Sequence, residues 1–243
     1  IELQKKIGRH HEMVLCFDSR NYWRKDFFEY YKANRAKNRE AEEDNNSFSW
    51  DDFYRLYNAF KVELPFYFNW KCIEVDRVEG DDIIFCISEY LNGKDIIIAS
   101  SDTDDLQILE KWPVAAQFSL KTYKYITCEQ YKYTLLDHII EGDSADGLPN
   151  VMSDADTYVN PDKKSVLLTK GRRSKIKFIV PEEYRERFAQ NEKLIDMSKI
   201  PDEYRTKIIE AFLAEKPKRT GNAFQYCLKY KLGPLLKIMN TGV

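Results

Sequence analysis

Short, unbroken apolar runs punctuate the first half of the chain. Residues 13–18 (Met-Val-Leu-Cys-Phe-Asp) form one that closes on a carboxylate. A run of this length, apolar at successive positions, predicts a strand buried on both faces. Residues 65–70 (Pro-Phe-Tyr-Phe-Asn-Trp), 95–101 (Asp-Ile-Ile-Ile-Ala-Ser-Ser) and 115–120 predict three more. Helical patterns lie between them at 23–34, 50–63 and 78–92. Ser49 and Asp52 carry the spacing of a capping box, and Gly93 stands where a helix C-cap is expected. Helices alternating with buried strands predict a mostly parallel α/β sheet. Beyond residue 127 the strand pattern fades. Helices are predicted at 128–141, 181–193, 201–215 and 222–239, the second and third started by Pro181 and Pro201. The pattern therefore predicts an α/β core over 1–127 and a helical subdomain over 128–243. The polar, charged stretch 38–49 predicts a mobile segment.

Composition narrows the chemistry. The 243 residues include 38 basic and 40 acidic side chains, a net charge of −2. This excludes a histone-like polycation but leaves room for separated charged patches that bind nucleic acid. Apolar runs such as Ile96–Ala99 fall far short of the roughly 20 residues that span a bilayer, so no membrane partner is expected. The five cysteines are odd in number, widely spaced and without a C-x-x-C pair, which predicts a reducing, cytoplasmic setting. His10, His11 and His138 are the only histidines. They are too few for a histidine zinc site or a Ser-His-Asp triad, so chemistry is expected from carboxylates, lysines and metals. The chain starts at Ile1, which reads as a fragment or a processed product.

Acids gather where predicted strands end or the following helices begin. Asp18 ends the first strand, while Glu79, Asp81 and Asp82 open a helix. Asp102, Asp104 and Asp105 follow the third strand, and Asp143 and Asp146 flank a turn from Gly142 to Gly147. The carboxyl ends of parallel strands meet at one crevice, so these acids are expected to converge. Crowded carboxylates repel unless a cation lies among them. A donor set of oxygens alone selects hard ions, Mg²⁺ with Mn²⁺ as a substitute, and two such ions about 4 Å apart suit phosphodiester cleavage. The nine acids set aside, the rest of the chain is net basic, as a polyanion binder requires. An Asp after a strand is also an ordinary N-cap, and Asp-Gly an ordinary turn. Four clusters at strand ends or turns argue together for the site. An EF-hand loop fails at Asp102, because the glycine at its sixth position is missing.

A basic, aromatic stretch, Tyr22-Trp-Arg-Lys-Asp-Phe-Phe-Glu-Tyr-Tyr-Lys-Ala-Asn-Arg, follows the Asp18 strand. On a helix Arg24, Tyr31 and Arg35 would share a face with Lys32 beside it. Such a face could grip a scissile phosphate and stack Tyr31 on a base. The same spacing also describes an amphipathic helix with solvated charges and core aromatics. A second basic stretch holds Lys163, Lys164, Lys170, Arg172, Arg173, Lys175 and Lys177 against Asp162.

Glu79-Gly-Asp-Asp82, Ser100-Ser-Asp-Thr-Asp104 and Gly142-Asp-Ser-Ala-Asp-Gly-Leu-Pro-Asn-Val151, in this order and spacing, resemble the structure-specific 5′-nucleases, the flap endonucleases and 5′-3′ exonucleases. Tyr-Trp-Arg-Lys-Asp-Phe with the following Tyr-Tyr-Lys-Ala-Asn-Arg is similar to the phage ribonuclease H branch of that family. The resemblance covers roughly residues 13–240. It implies a PIN-like α/β core and a helical subdomain with a helix–hairpin–helix-type DNA-binding element. It implies that Asp18, Asp81, Asp102 and Asp104 hold one Mg²⁺, that Asp143 and Asp146 serve a second, partly through water, and that Glu79 orients a metal-bound water. Arg24 and Lys32 would touch the scissile phosphate, and Tyr31 would stack on the terminal base. Residues 36–49 would belong to an arch over the site. Gly142 and Gly147 would sit in the duplex-gripping turn, with Lys163, Lys164, Lys170, Arg172 and Arg173 near it. Implied partners are DNA and RNA–DNA hybrids with 5′ ends or flaps, acted on by a monomer in the host cytoplasm, with a single-strand-binding protein and a sliding clamp as replication partners. The family carries one further strand and acid some fifty residues before the position matching Asp18, where this sequence has 17 residues. The expectation is therefore a core lacking its first strand. Two rival readings are a PIN-type ribonuclease and a non-catalytic nucleic-acid-binding fragment.

Overall fold

A computed structural model describes residues 12–35, 49–131, 134–218 and 220–233. The expected arch segment lies almost wholly outside the described residues, as do His10, His11 and the end of the last predicted helix. Strand β1 (Val14–Phe17) pairs in parallel with β2 (Lys71–Glu74), and β3 (Ile97–Ala99) pairs in parallel with β4 (Ala116–Ser119). A fifth strand, β5 (Lys124–Ile126), joins β4 antiparallel and had no separate apolar run to announce it. The five strands form two sheets, β1-β2 and β3-β4-β5, with no ladder between them among the described residues.

One predicted strand is displaced. Residues 65–67 continue helix α1 (Trp50–Tyr67), and the strand begins at Lys71. The amphipathic period of α1 carries the helix through Pro65. The exposed Phe66 shows that this apolar run covers a helix surface rather than a sheet interior. Ser49 caps α1 as expected, accepting from the Asp52 amide. Helix α2 (Gly80–Tyr90) begins with a reciprocal capping box between Glu79 and Asp82, and Gly93 lies just beyond its end with φ +68°. Helix α3 (Leu106–Lys111) follows β3. The main core packs α2 against β1, β2 and helix α8 (Asp202–Leu213), around Ile73, Ile83, Phe85, Ile108 and Ile208.

The expected helix 23–34 is not continuous. Residues Trp23–Asp26 form a 3-10 turn, and Lys32 takes φ +57°, which breaks any helical face shared by Arg24, Tyr31 and Arg35. The break is held from outside, because the Lys32 amide donates to the Asp146 carbonyl at 2.8 Å. The back of the chain is helical: α4 (Cys128–Tyr131), α5 (Leu135–Glu141), α6 (Lys170–Phe178), α7 (Arg185–Ile195), α8 and α9 (Ala223–Lys229). Helix α6 falls within the stretch read only as basic. Residues 148–169 between α5 and α6 run in turns, tied by the Asn150 side chain to Ser165 and to the Val166 carbonyl.

Candidate metal centre

Four acid clusters arrive at one place because each element ends there. Asp18 follows β1 and accepts the Gly80 amide at 2.7 Å, which ties the strand end to the first turn of α2. Gly80 leaves little room at this join. A Cβ there would lie 3.3 Å from both an Asp18 oxygen and the Cys16 carbonyl. Glu79 and Asp81 stand at the start of α2, where the helix dipole favours negative charge. Asp102 and Asp104 follow β3, and the Gln117 amide pins their loop by donating to the Asp102 carbonyl at 2.6 Å. The turn after α5 brings Asp143 and Asp146. Gly142 and Gly147 both adopt positive φ there, and a Cβ on Gly142 would lie 2.4 Å from the Leu148 carbonyl.

Glu79, Asp81, Asp104, Asp143 and Asp146 line one small cavity of about 30 Å³ together with Arg24 and Tyr31. That volume suits ions or a water rather than an organic molecule. A larger groove of about 780 Å³ lies elsewhere, between β1, β2 and α1, lined by Arg20, Asn58, Lys61 and Glu74, and none of these five acids borders it.

The charge balance of the cavity is uneven. Burial, then the neighbouring Asp105, Asp102 and Asp18, holds the Asp81 carboxyl well above the usual carboxylate range. Burial, then Asp102, Asp143 and Asp146, pushes Asp104 up to about 8. Burial raises Asp105 to about 6. Acids crowded this way must hold protons near neutral pH or share a cation, and an oxygen-rich donor set around a water-sized space fits divalent ions. Asp81, Asp104, Asp143 and Asp146 would hold them, with Asp18 and Asp102 beside.

A cationic wall closes the other side. Arg24 is 5% exposed and donates to Glu79 at 2.7 Å, to both Asp82 oxygens at 2.7 and 2.9 Å, and to the Leu194 carbonyl at 2.8 Å. It therefore braces Glu79 from beneath and does not reach a phosphate from this position. Tyr31, expected to stack on a base, is 2% exposed and cannot do so. Its ring packs among Phe28, Ile139 and Leu148, because an aromatic ring gains more from core burial than from solvent. Its hydroxyl lies 2.7 Å from Glu79 and 2.8 Å from Asp146. The hydroxyl thus bridges the two carboxylates, and burial, the largest influence on Asp146, raises its carboxyl above the ordinary value. Lys32 bonds Glu79 and lies 3.6 Å from Asp146, and Arg35 donates to Asp146 at 2.6 Å. Burial would raise Glu79, but Arg24 and Lys32 outweigh it and hold its carboxyl below the usual value.

The basic stretch lies one helix away. Helix α6 packs on α5, with Lys177 donating to Asp137 and Arg173 bonded to Glu141. Lys163 pairs with Asp154 and Asp156, while Lys164, Lys170 and Arg172 are exposed. Asp82 and Asp105, both expected among the converging acids, are fully buried, Asp82 as the mate of Arg24. Sequence reasoning missed one contributor to the centre. His138 was set aside, yet its ring lies between Asp104 and Asp143. Its place one turn before the Gly142 turn was the available signal.

Comparison with known proteins gives the same order of parts. Residues 1–134 match the family described as 5′-3′ exonuclease, N-terminal resolvase-like domain, and residues 131–241 match the C-terminal domain of T4 RNase H. The chain is 28% identical over 255 residues to ribonuclease H of Enterobacteria phage T4, covering 99% of this chain and 82% of that protein. The T5 protein co-crystallised with metal ions superposes with a TM-score of 0.59 at 17% identity, over 86% of this chain and 89% of that one. The bacteriophage T5 flap endonuclease in a product complex with DNA and metal ions gives 0.55 at 19% identity, over 88% and 83%.

Proposed function

Since the chain belongs to the 5′-3′ exonuclease family, we propose that it is a Mg²⁺-dependent 5′-nuclease that removes RNA primers and 5′ flaps from DNA duplexes, with Mn²⁺ able to substitute. The observation that carries this reading is the convergence of Asp81, Asp104, Asp143 and Asp146 on one ion-sized cavity beside a wall of cations. Two bound ions would supply positive charge to the pentacovalent phosphate and lower the pKa of an attacking water.

The remaining steps belong to the chain's own side chains. Glu79, clamped by Arg24, Lys32 and Tyr31, is fixed in orientation and able to align that water. Arg35, partly exposed and bonded to Asp146 beside the cavity, would be the cation to meet the substrate phosphate, while Arg24 and the buried Lys32 keep Glu79 in place. The exposed cations of α6 and its approach, Lys164, Lys170 and Arg172, would hold the duplex backbone without reading sequence. A single-strand-binding protein and a sliding clamp are the replication partners this reading implies.

The test is cleavage of a 5′-labelled flap annealed to duplex DNA in Mg²⁺. Asp104→Asn is expected to lower turnover by about 100-fold or more, as loss of a metal ligand should. Unchanged turnover would refute the assignment. Preferential cleavage of single-stranded RNA would favour a PIN-type ribonuclease instead.

A further inference from the structure

The acid centre contains one nitrogen donor. His138 lies in α5, and its Nδ1 is 3.5 Å from an Asp104 oxygen while its Nε2 is 4.0 Å from an Asp143 oxygen. One donor atom from each of the three residues lies within 4.8 Å of the other two. An octahedral ion with bonds of about 2.1 Å keeps its donors about 3.0 Å apart when adjacent and about 4.2 Å apart when opposite. Asp104 and Asp143 face different ring nitrogens, and an ion takes only one of them, so the three donors, one per residue and within 4.8 Å of one another, must close by up to about 0.6 Å to meet one ion.

The backbone holds this ring in place. The His138 amide donates to the Thr134 carbonyl, and its carbonyl accepts from Gly142 at 2.8 Å. The neighbouring Ile139 carbonyl accepts from the buried Asn191 side chain of α7 at 3.0 Å.

Building on the metal-dependent reading above, we propose that His138 is a ligand of the ion held by Asp104 and Asp143, and that this position therefore favours Mn²⁺ and later transition ions over Mg²⁺. Mg²⁺ dehydrates reluctantly and suits carboxylate and water oxygens. Imidazole nitrogen suits transition ions, whose affinity rises from Mn²⁺ through Co²⁺ toward Cu²⁺. Asp18, Asp81 and Asp102 offer oxygen donors alone, the chemistry that suits Mg²⁺.

The test loads the full chain with Mn²⁺ and records pulsed electron paramagnetic resonance. Modulation from ¹⁴N is expected in the wild type and absent in His138→Gln. The Mn²⁺ over Mg²⁺ affinity ratio, from competition calorimetry, is expected to fall by about tenfold or more in the variant. Mn²⁺ bound without nitrogen modulation would overturn the ligand assignment and leave the nuclease reading intact. Modulation that persists in His138→Gln would overturn it equally. Binding of neither ion, with no flap cleavage, would sink both readings. If the variant fails to fold on thermal melting, the wild-type spectrum decides alone.

Discussion

Arg24 is the residue on which the centre's geometry turns. Its guanidinium neutralises two buried carboxylates, Glu79 and Asp82. Removing one member of such a group leaves charge stranded in a low-dielectric interior. Arg24→Ala is expected to destabilise the protein by about 3–5 kcal/mol, read from urea unfolding, so its effect on activity would come mostly through folding. Tyr31→Phe is a milder probe. It keeps the ring and removes only the hydroxyl between Glu79 and Asp146, with an expected cost of about 1–3 kcal/mol in the same measurement. Both residues were legible in the sequence as members of the site, but their roles were not. Spacing counts residues along an assumed helix, whereas the positive φ at Lys32 is imposed by the carbonyl of Asp146, over a hundred positions away. No local pattern carries that information. The acids were easier to read, because an Asp placed directly after an apolar run already implies the end of a strand.

Among the elements, the turn joining α5 to the centre is the most constrained. Gly142 cannot accept a side chain, since a Cβ there would lie 2.4–2.6 Å from backbone atoms of Leu148 and Pro149. Gly142→Ala is expected to cost about 2–3 kcal/mol and to lower the melting temperature even with metal present. Asn191 supports the same turn from α7 by donating to the Ile139 and Pro149 carbonyls at 3.0 and 2.9 Å. Helices and strands bounded by caps and prolines were read nearly where they lie, α2 and α8 among them. The misplaced strand at 65–70 shows why the reading fails elsewhere. A short apolar run with aromatics suits either a strand or the last turn of a helix, and packing decides between them.

For the molecule as a whole, the acid cavity sets a pH dependence of unusual sign. Asp104 has a folded value of about 8 against 3.8 for the ordinary group, so the folded chain binds more protons than the unfolded chain between these values. Stability then falls as pH rises through this window. His138, held below its ordinary 6.5 by burial, acts in the opposite sense only below that value. The melting temperature of the metal-free protein is therefore expected to decline from pH 6.5 to 8. Mn²⁺ or Mg²⁺ should raise it, and more so at pH 8. A flat calorimetric profile would mean that these acids do not share one space. Binding to duplex DNA should weaken steeply with salt if the exposed cations near α6 carry it, which fluorescence anisotropy would measure.

The bond from Arg24 to the Leu194 carbonyl spans 170 positions, and it bears on the order of events during synthesis. A nascent chain grows from its amino end, so the early half waits on the ribosome for partners not yet made. Until Leu194 has emerged, the guanidinium beneath Glu79 lacks one of its anchors, and until Asp146 has emerged the pocket lacks a side. Catalytic competence would thus arrive only after Leu194 has emerged, and a shorter nascent polypeptide would leave nearby message and genome uncut.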